Sequence, residues 1–270
     1  METSELSLLL EAIKQCYGWD FTHYKLASLR RRIQQLLDKL KLQHVSQLIP
    51  LVYHDQQFFR EFIKTLSVPV SEMFRDPEVY LLIKEKIFPI LSTYPTISIW
   101  HAGCATGKEV YSLAILLQEA DLYHRCEIYA TDINPDAINQ AQQGLYHEED
   151  VRQYQKNYYR AGGKENLLRY FSFENSSATI AEFLKTNIHF FQHNLVHDQS
   201  FEKHHLVLCR NVFIYFDRNL QNHVLNILSE SLYQGGFLCL GLKESLTHLD
   251  QAENFTMLQQ PLPVYKRGYQ

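Results

Sequence analysis

The sequence predicts an α/β fold, a mostly parallel sheet with helices on both faces, preceded by an all-helical domain and interrupted by a small inserted subdomain. Three observations predict it. From residue 97 onward, apolar strand-like runs alternate with helical stretches; the first 65 or so residues carry helical periodicity alone; and residues about 146 to 186 break the alternation.

The helical part comes first. Leu6, Leu9, Leu10 and Ile13 share one helix face, and Leu26, Leu29, Ile33, Leu36, Leu37 and Leu40 repeat that spacing. Leu29 and Ile33 bracket Arg30, Arg31 and Arg32, so the three arginines are expected to project sideways and outward. Residues 1–66 hold nine Lys/Arg against seven Asp/Glu in a chain that is acidic overall. That face is a solvated surface or a docking surface for an acidic helical partner. Pro69 breaks the pattern within Ser67 to Ser71, and the domain boundary is placed there, giving domains at 1–66 and 67–270. A helix from Asp76 to Leu91 follows, with Pro77 in its first turn.

Strand Ile97 to Ala102 leads through a glycine turn into helix Lys108 to Ala120. Strand Cys126 to Ile133 precedes a helix from Pro135 to Gln143, for which Asn134 is the natural N-cap. Further strands are expected at Ile188 to Phe191, His205 to Cys209 and, after helix Asn219 to Tyr233 and the pair Gly235-Gly236, at Phe237 to Leu242. Phe255 to Leu258 and Pro263 to Lys266 supply a closing hairpin. The segment at about 146–186, rich in Tyr, Asn and Gly, reads as an insertion with a helix and a short hairpin sheet.

The bulk numbers bound the function. The 270 residues are 46% hydrophobic, enough for a full α/β core and an accessory domain, and the net charge of -4 gives no basic field for nucleic acid. No apolar run approaches the ~20 residues that span a bilayer, and the N-terminus lacks a signal-peptide pattern, so the chain is expected to be cytoplasmic. Five scattered cysteines, Cys16, Cys104, Cys126, Cys209 and Cys239, fit reduced thiols. His189, His193 and His197 are four apart, a spacing that converges only on a helix, whereas the segment reads as strand and turn; no metal is expected.

The chemistry gathers at the carboxyl ends of the strands. Gly103-Cys-Ala-Thr-Gly107 turns from strand to helix where ligands bind a doubly wound sheet. It lacks the third glycine of GxGxxG and the GK[ST] of a P-loop. Alone, the turn allows a structural corner. Asp132, at the end of the second strand, adds an acceptor for ribose hydroxyls and makes the pair an adenosine-type site. Asn194 and Leu195 follow the third strand, and Arg210 and Asn211 the fourth. A cation and an amide at that fourth-strand end suit an anionic acceptor better than an amine. Arg75, in Ser71-Glu-Met-Phe-Arg75 beside the domain break, is placed as a lid over the site.

Taken together, these motifs resemble the CheR family of S-adenosylmethionine-dependent methyltransferases, which esterify glutamates of bacterial chemoreceptors. The likeness covers nearly the whole chain, through MFRDP, IWHAGCATGKEVYSLAILL, IYATDINPDAINQAQQGLY, HNL, LVLCRNVFIYFD and GGFLCLGLKESL. It implies a class I (Rossmann-like) methyltransferase sheet with a β-subdomain at about 150–186. It also implies S-adenosyl-L-methionine as cofactor, S-adenosyl-L-homocysteine as product and the cytoplasmic domain of a chemoreceptor as partner, with the enzyme acting as a monomer. Ser71, Arg75, Gly103, Glu109, Asp132, Asn194, Leu195, Arg210 and Asn211 would line the cofactor site, Glu109 gripping the methionyl amino group and Asp132 the ribose. Arg75 and Tyr215 would be catalytic, with Arg75 positioning the acceptor, and Arg30, Arg31 and Arg32 would dock it.

The chain departs from the family pattern in places. Lys108 replaces a Glu beside Glu109, Met73 a Phe, Pro69 a Thr or Asn, Ser71 a Thr, and Gly241-Leu-Lys-Glu-Ser245 stands for G.SES. A cofactor-binding sensor or scaffold without methyl transfer is the competing reading, resting on Lys108 and Met73.

Overall fold

A computed structural model describes residues 3–66 and 71–269. The break expected at 67–70, Pro69 included, lies outside the described residues.

Four helices form the N-terminal part: α1 (Thr3–Tyr17), α2 (Leu26–Leu40), α3 (Leu48–His54) and α4 (Gln56–Leu66). Their apolar faces close on a core of Leu6, Leu9, Ile13, Leu29, Ile33, Val52 and Phe62. One expectation fails on α2. Arg31 is exposed, but Arg32 is buried and turns inward, with Nη1 3.4 Å from the Thr65 carbonyl of α4. A helix packed on two sides buries about half its circumference, so three consecutive residues cannot all face water.

Helix α5 (Pro77–Leu82) starts on Pro77 and passes through a π-helical turn, Ile83–Ile87, into α6 (Phe88–Leu91). The sequence predicted one regular helix here. Pro89 has no N–H for the carbonyl four residues back, and the helix widens just before it. Strand β1 (Ile97–Ala102), α7 (Lys108–Glu119), β2 (Cys126–Asp132) and α8 (Pro135–Gln143) then alternate as expected. Asn134 caps α8, accepting from Asp136 N and Ala137 N.

The insertion carries β3 (Leu145–His147), α9 (Glu148–Arg160), β4 (Phe171–Glu174) and β5 (Ser177–Ile180), with the strands in an antiparallel sheet ordered β3-β5-β4. The chain returns through β6 (Ile188–Gln192), β7 (His204–Cys209), α10 (Arg218–Glu230), β8 (Leu232–Leu240), β9 (Phe255–Gln259) and β10 (Leu262–Arg267). Helix α10 stops three residues earlier than its periodicity suggested and β8 starts five earlier. Gly235, at φ +76°, lets the pairing with β7 shift register between His204 and Leu206, so the glycine pair lies within the strand and does not precede it.

The main sheet runs β6-β2-β1-β7-β8-β10-β9. Its first five strands are parallel, and β10 and β9 close the edge antiparallel. β1 pairs with β2 on one side and β7 on the other, so strand order reverses at β1 and a crevice opens beyond its carboxyl end. No helix among the described residues is long and apolar enough to cross a membrane.

The helical part roofs that crevice through backbone pairing. Lys25 N donates to Tyr215 O at 2.8 Å and Asp217 N to His23 O at 2.9 Å, while Asp20 N donates to His197 Nε2 at 2.9 Å. The three spaced histidines part company: His189 pairs with Glu127, His193 packs on Trp100, and His197 serves this seam.

At the opposite end of β7, His204 is fully buried among Trp100, Tyr129 and Phe201, with Nδ1 2.9 Å from Ser98 Oγ. Burial lowers its pKa from 6.5 to about 4. Between those values the unfolded chain binds a proton that the folded one refuses, so stability falls as pH falls through the window, by up to about 3 kcal/mol. His204→Phe should lose that part of the acid sensitivity in urea titrations between pH 7 and 4; a slope equal to wild type would contradict it.

Candidate active site

The crevice is a cleft of about 390 Å³ lined from both halves of the chain. Its floor is the glycine turn. Gly103 sits at φ +84°, and a Cβ there would lie 2.5 Å from Val212 Cγ2. Gly107, at φ +80°, would carry a Cβ 2.9 Å from that of Ala141. Both positions therefore demand glycine twice over, for conformation and for space. Gly103 N and Cys104 N both donate to Thr131 O at 2.8 Å, lacing the turn to the end of β2.

Asp132 stands beside this floor. Its Oδ2 accepts from Ala105 N at 2.8 Å and its Oδ1 from Asn134 N at 2.9 Å. Burial pushes the carboxyl up, and those N–H groups oppose the push. Because Asn134 caps α8, Asp132 keeps its remaining lone pairs for a ligand. Asp132→Ala should raise the cofactor Kd about tenfold or more by calorimetry, one charge-assisted hydrogen bond being worth roughly 1.5–3 kcal/mol; unchanged affinity would remove Asp132 from the ribose role. Asn194 and Leu195 line the wall after β6. The Asn194 Oδ1 is committed to Val196 N at 3.0 Å, so its side chain offers a ligand the Nδ2 donor.

Arg210 lines the cleft as expected, but its charge is already engaged. Its side chain is 1% exposed, with Nη1 on Glu109 Oε2 at 2.7 Å and Nη2 on Asp76 Oδ2 at 2.7 Å and on the Arg75 carbonyl at 3.0 Å. Its Cζ lies over the Tyr80 ring, 5.5 Å from the centroid. Burial works against the charge, but Glu109 and the neighbouring groups more than restore it. This cation is spent on two carboxylates and is not offered to an acceptor. Burial pushes Glu109 up as well, and Arg210 holds the carboxyl below its usual range.

Arg75, with Arg32, also brings a cation to the cleft. Phe74 and Asp76 on either side of Arg75 both take left-handed backbone, φ 53° and 55°, and Phe74 N is tied to Ser112 Oγ at 3.0 Å. Two strained residues held by buried partners fix where the chain projects Arg75. It lines the cleft, and no hydrogen bond or ion pair is made by its side chain among the described residues. Ser71 Oγ meets Thr106 Oγ1 at 3.2 Å, tying this segment to the glycine turn. Met73 is fully buried, so that departure is a change of core packing.

Tyr215 faces the same space. Burial raises its phenol, the charges of Arg32, Arg75 and Arg31 pull it back, and the balance is upward, so it is a neutral donor at pH 7. Asn211 is held at φ 61° with its N–H on Glu244 Oε2 at 2.9 Å. Glu244 also accepts from Ile214 N at 3.0 Å and Gly241 N at 2.6 Å, so one carboxylate shapes the whole loop after β7.

Sequence reasoning missed Glu244, although its segment stood out as a departure. It also missed the roof: Phe21, Tyr24, Ser28, Leu29, Ile63 and Leu66 reach the cleft from the helical part, as does Arg32. Helical periodicity marked only Leu29 among these as core and could not say which core. Lys108 does not line the cleft. Its Nζ donates to Tyr154 OH at 3.1 Å and lies over the Tyr146 and Tyr154 rings, toward the insertion.

Comparison with known proteins agrees with this geometry. Residues 69–262 match the family model described as CheR methyltransferase, SAM binding domain, and residues 4–67 the one described as CheR methyltransferase, all-alpha domain. The chain is 42% identical to a putative methyltransferase Cher3 of Pseudomonas putida, over 98% of this chain and 97% of that protein. It is 27% identical to a chemotaxis protein methyltransferase of Listeria innocua over 87% of each. A Rhodobacter capsulatus protein of 104.1 kDa is 29% identical over 94% of this chain, which spans 26% of that protein's length. The glycine cradle that no Cβ could enter, the acidic residue beside it and the buried carboxylates fit an adenosyl group carrying a cationic amino acid. The chain belongs to the CheR methyltransferase family, with S-adenosylmethionine as its cofactor.

Proposed function

We propose that the chain esterifies glutamate side chains on the cytoplasmic domain of a bacterial chemoreceptor, acting as a cytoplasmic monomer. The observation that carries the reading is Arg75, a cleft-lining guanidinium without a side-chain partner among the described residues, beside the neutral phenol of Tyr215. Several relatives are named chemotaxis protein methyltransferases.

When bound, S-adenosylmethionine supplies an electrophilic methyl on a sulfonium. Asp132 would hold the ribose, Glu109 the methionyl ammonium, and the lid of Ser71 and Arg75 would exclude water. A glutamate acceptor is ionised at pH 7, with an ordinary pKa of about 4.3, so no general base is needed. Arg75 and the Tyr215 hydroxyl orient that carboxylate. Such positioning contributes roughly 7–11 kcal/mol in well-aligned cases. Lys108, turned away from the cleft, gives no support to a sensor that binds without transferring.

Exposed Arg31 and half-exposed Arg30 form the docking face in this reading, with Arg32 closer to the cleft. Labelled S-adenosylmethionine incubated with a receptor cytoplasmic domain should label that domain. The double variant Arg30→Glu, Arg31→Glu should cut labelling about tenfold at unchanged cofactor affinity. Labelling as fast as wild type would remove the docking face from the account, and no labelling by wild type would overturn the receptor.

A further inference from the structure

The Glu109–Arg210 pair has a neighbour for which the reaction above has no use. His101, at the end of β1, is 1% exposed, and neither of its ring nitrogens has a hydrogen-bond partner among the described residues. Its Nδ1 lies 3.6 Å from Glu109 Oε1, the oxygen that Arg210 does not hold. Buried polar nitrogens are seldom left unsatisfied without a functional reason.

The charges around it can be counted. Glu109 and Asp76 are anionic and Arg210 is cationic, so with a neutral imidazole the network carries one net negative charge. With a protonated imidazole it carries none. Among the described residues, the other ionisable groups that bear on the pair are Tyr80 from α5, Cys104 from the glycine turn, Cys209 at the end of β7 and Cys239 from β8. Burial pushes all four upward, so they stay neutral. Glu244 also acts on Arg210 and Asp132 on Cys104, and each is occupied by backbone N–H groups.

We propose that His101 is a positioning residue that makes cofactor binding pH-dependent. Neutral, it leaves Glu109 Oε1 and the single net negative charge for the methionyl ammonium. Protonated, it takes Oε1 for itself and cancels that charge. Histidine is the side chain whose charge ordinarily changes between pH 5 and 8. The inference rests on the reading of Glu109 as the ammonium's partner. Linkage makes it reciprocal: binding the ammonium must expel a proton from the site.

Calorimetry with S-adenosylhomocysteine between pH 5.5 and 7.0 tests it, because an α-amino group with a pKa of about 7.7–8.0 stays mostly charged across that range. Wild-type Kd should be roughly tenfold weaker at pH 5.5 than at 7.0, the scale of a lost unit charge at short range. Titrations near pH 6 in buffers of differing ionisation enthalpy should show proton release. His101→Gln, and His101→Asn should the first variant fail to fold, should give a flat profile and no release. A flat wild-type profile, absent proton release, or a slope unchanged in either variant would overturn the proposal.

Glu109→Gln separates the two readings. Affinity unchanged at pH 7.0 would overturn the Glu109 assignment and the proposal with it. A weakened Glu109→Gln beside a flat wild-type profile would overturn the role of His101 alone.

Discussion

Arg210→Met is expected to cost about 3–5 kcal/mol of stability and to abolish measurable cofactor binding. Truncating one partner of a buried ion pair leaves the other charge uncompensated. Here two carboxylates, Glu109 and Asp76, lose their cation together. The lid loses its anchor too, since Arg210 also holds the Arg75 carbonyl. The pH dependence sharpens the test. In wild type the Glu109 carboxyl is held below its usual range, so its contribution is present above pH 4.5 and is lost as pH falls through the lower folded value. In Arg210→Met the same carboxyl should be raised by burial, so the variant's deficit should shrink as pH falls from 7 toward 5. Arg210→Lys keeps the charge but not the fork and should fall between the two. Denaturant titrations at pH 7 and 5, with calorimetry, read all three; a deficit under 1 kcal/mol at pH 7 would show that the network is not what braces the lid.

Arg75→Ala should lower kcat at saturating cofactor by 10²-fold or more, with cofactor Kd moving less than about tenfold. The asymmetry follows from what Arg75 contacts: its backbone carbonyl is tied into the cofactor side through Arg210, while its guanidinium faces the cleft without a protein partner among the described residues. Arg75→Lys retains a point charge without bidentate geometry and should recover part of the rate. Single-turnover rates and cofactor titrations separate the two effects. A Kd that rises as much as kcat falls would make Arg75 a cofactor ligand and not the holder of the acceptor.

The sheet and the floor of the cleft were legible in the sequence because local signals specify them. Alternating apolar runs, the glycine spacing at Gly103 and Gly107, and Asp132 at a strand end each act within a few residues of the chain. The ion-pair network at the cleft was not legible as a network. Glu109, Arg210 and Asp76 come from three segments, and nothing local says that the Arg210 cation is consumed by the other two. Arg210 therefore read as a group for an anionic acceptor, the role proposed above for Arg75. The roof was hidden for a similar reason. Tyr24 and Arg32 reach the cleft only because residues 23 to 25 pair with the loop after β7, a contact almost two hundred residues long in sequence. Arg32 shows the limit most plainly: its place among three arginines suggests a wet surface, and the packing of α2 on α4 turns it inward.

The central claim is that the methyl group ends on a carboxylate. Its most direct measurement is the chemistry of the product bond. The labelled acceptor, isolated after reaction with methyl-labelled S-adenosylmethionine, is held in mild alkali and the volatile fraction is counted. The account predicts release of the label as methanol, because an ester hydrolyses; label that stays on the protein through alkali would mark a methylated nitrogen and contradict it.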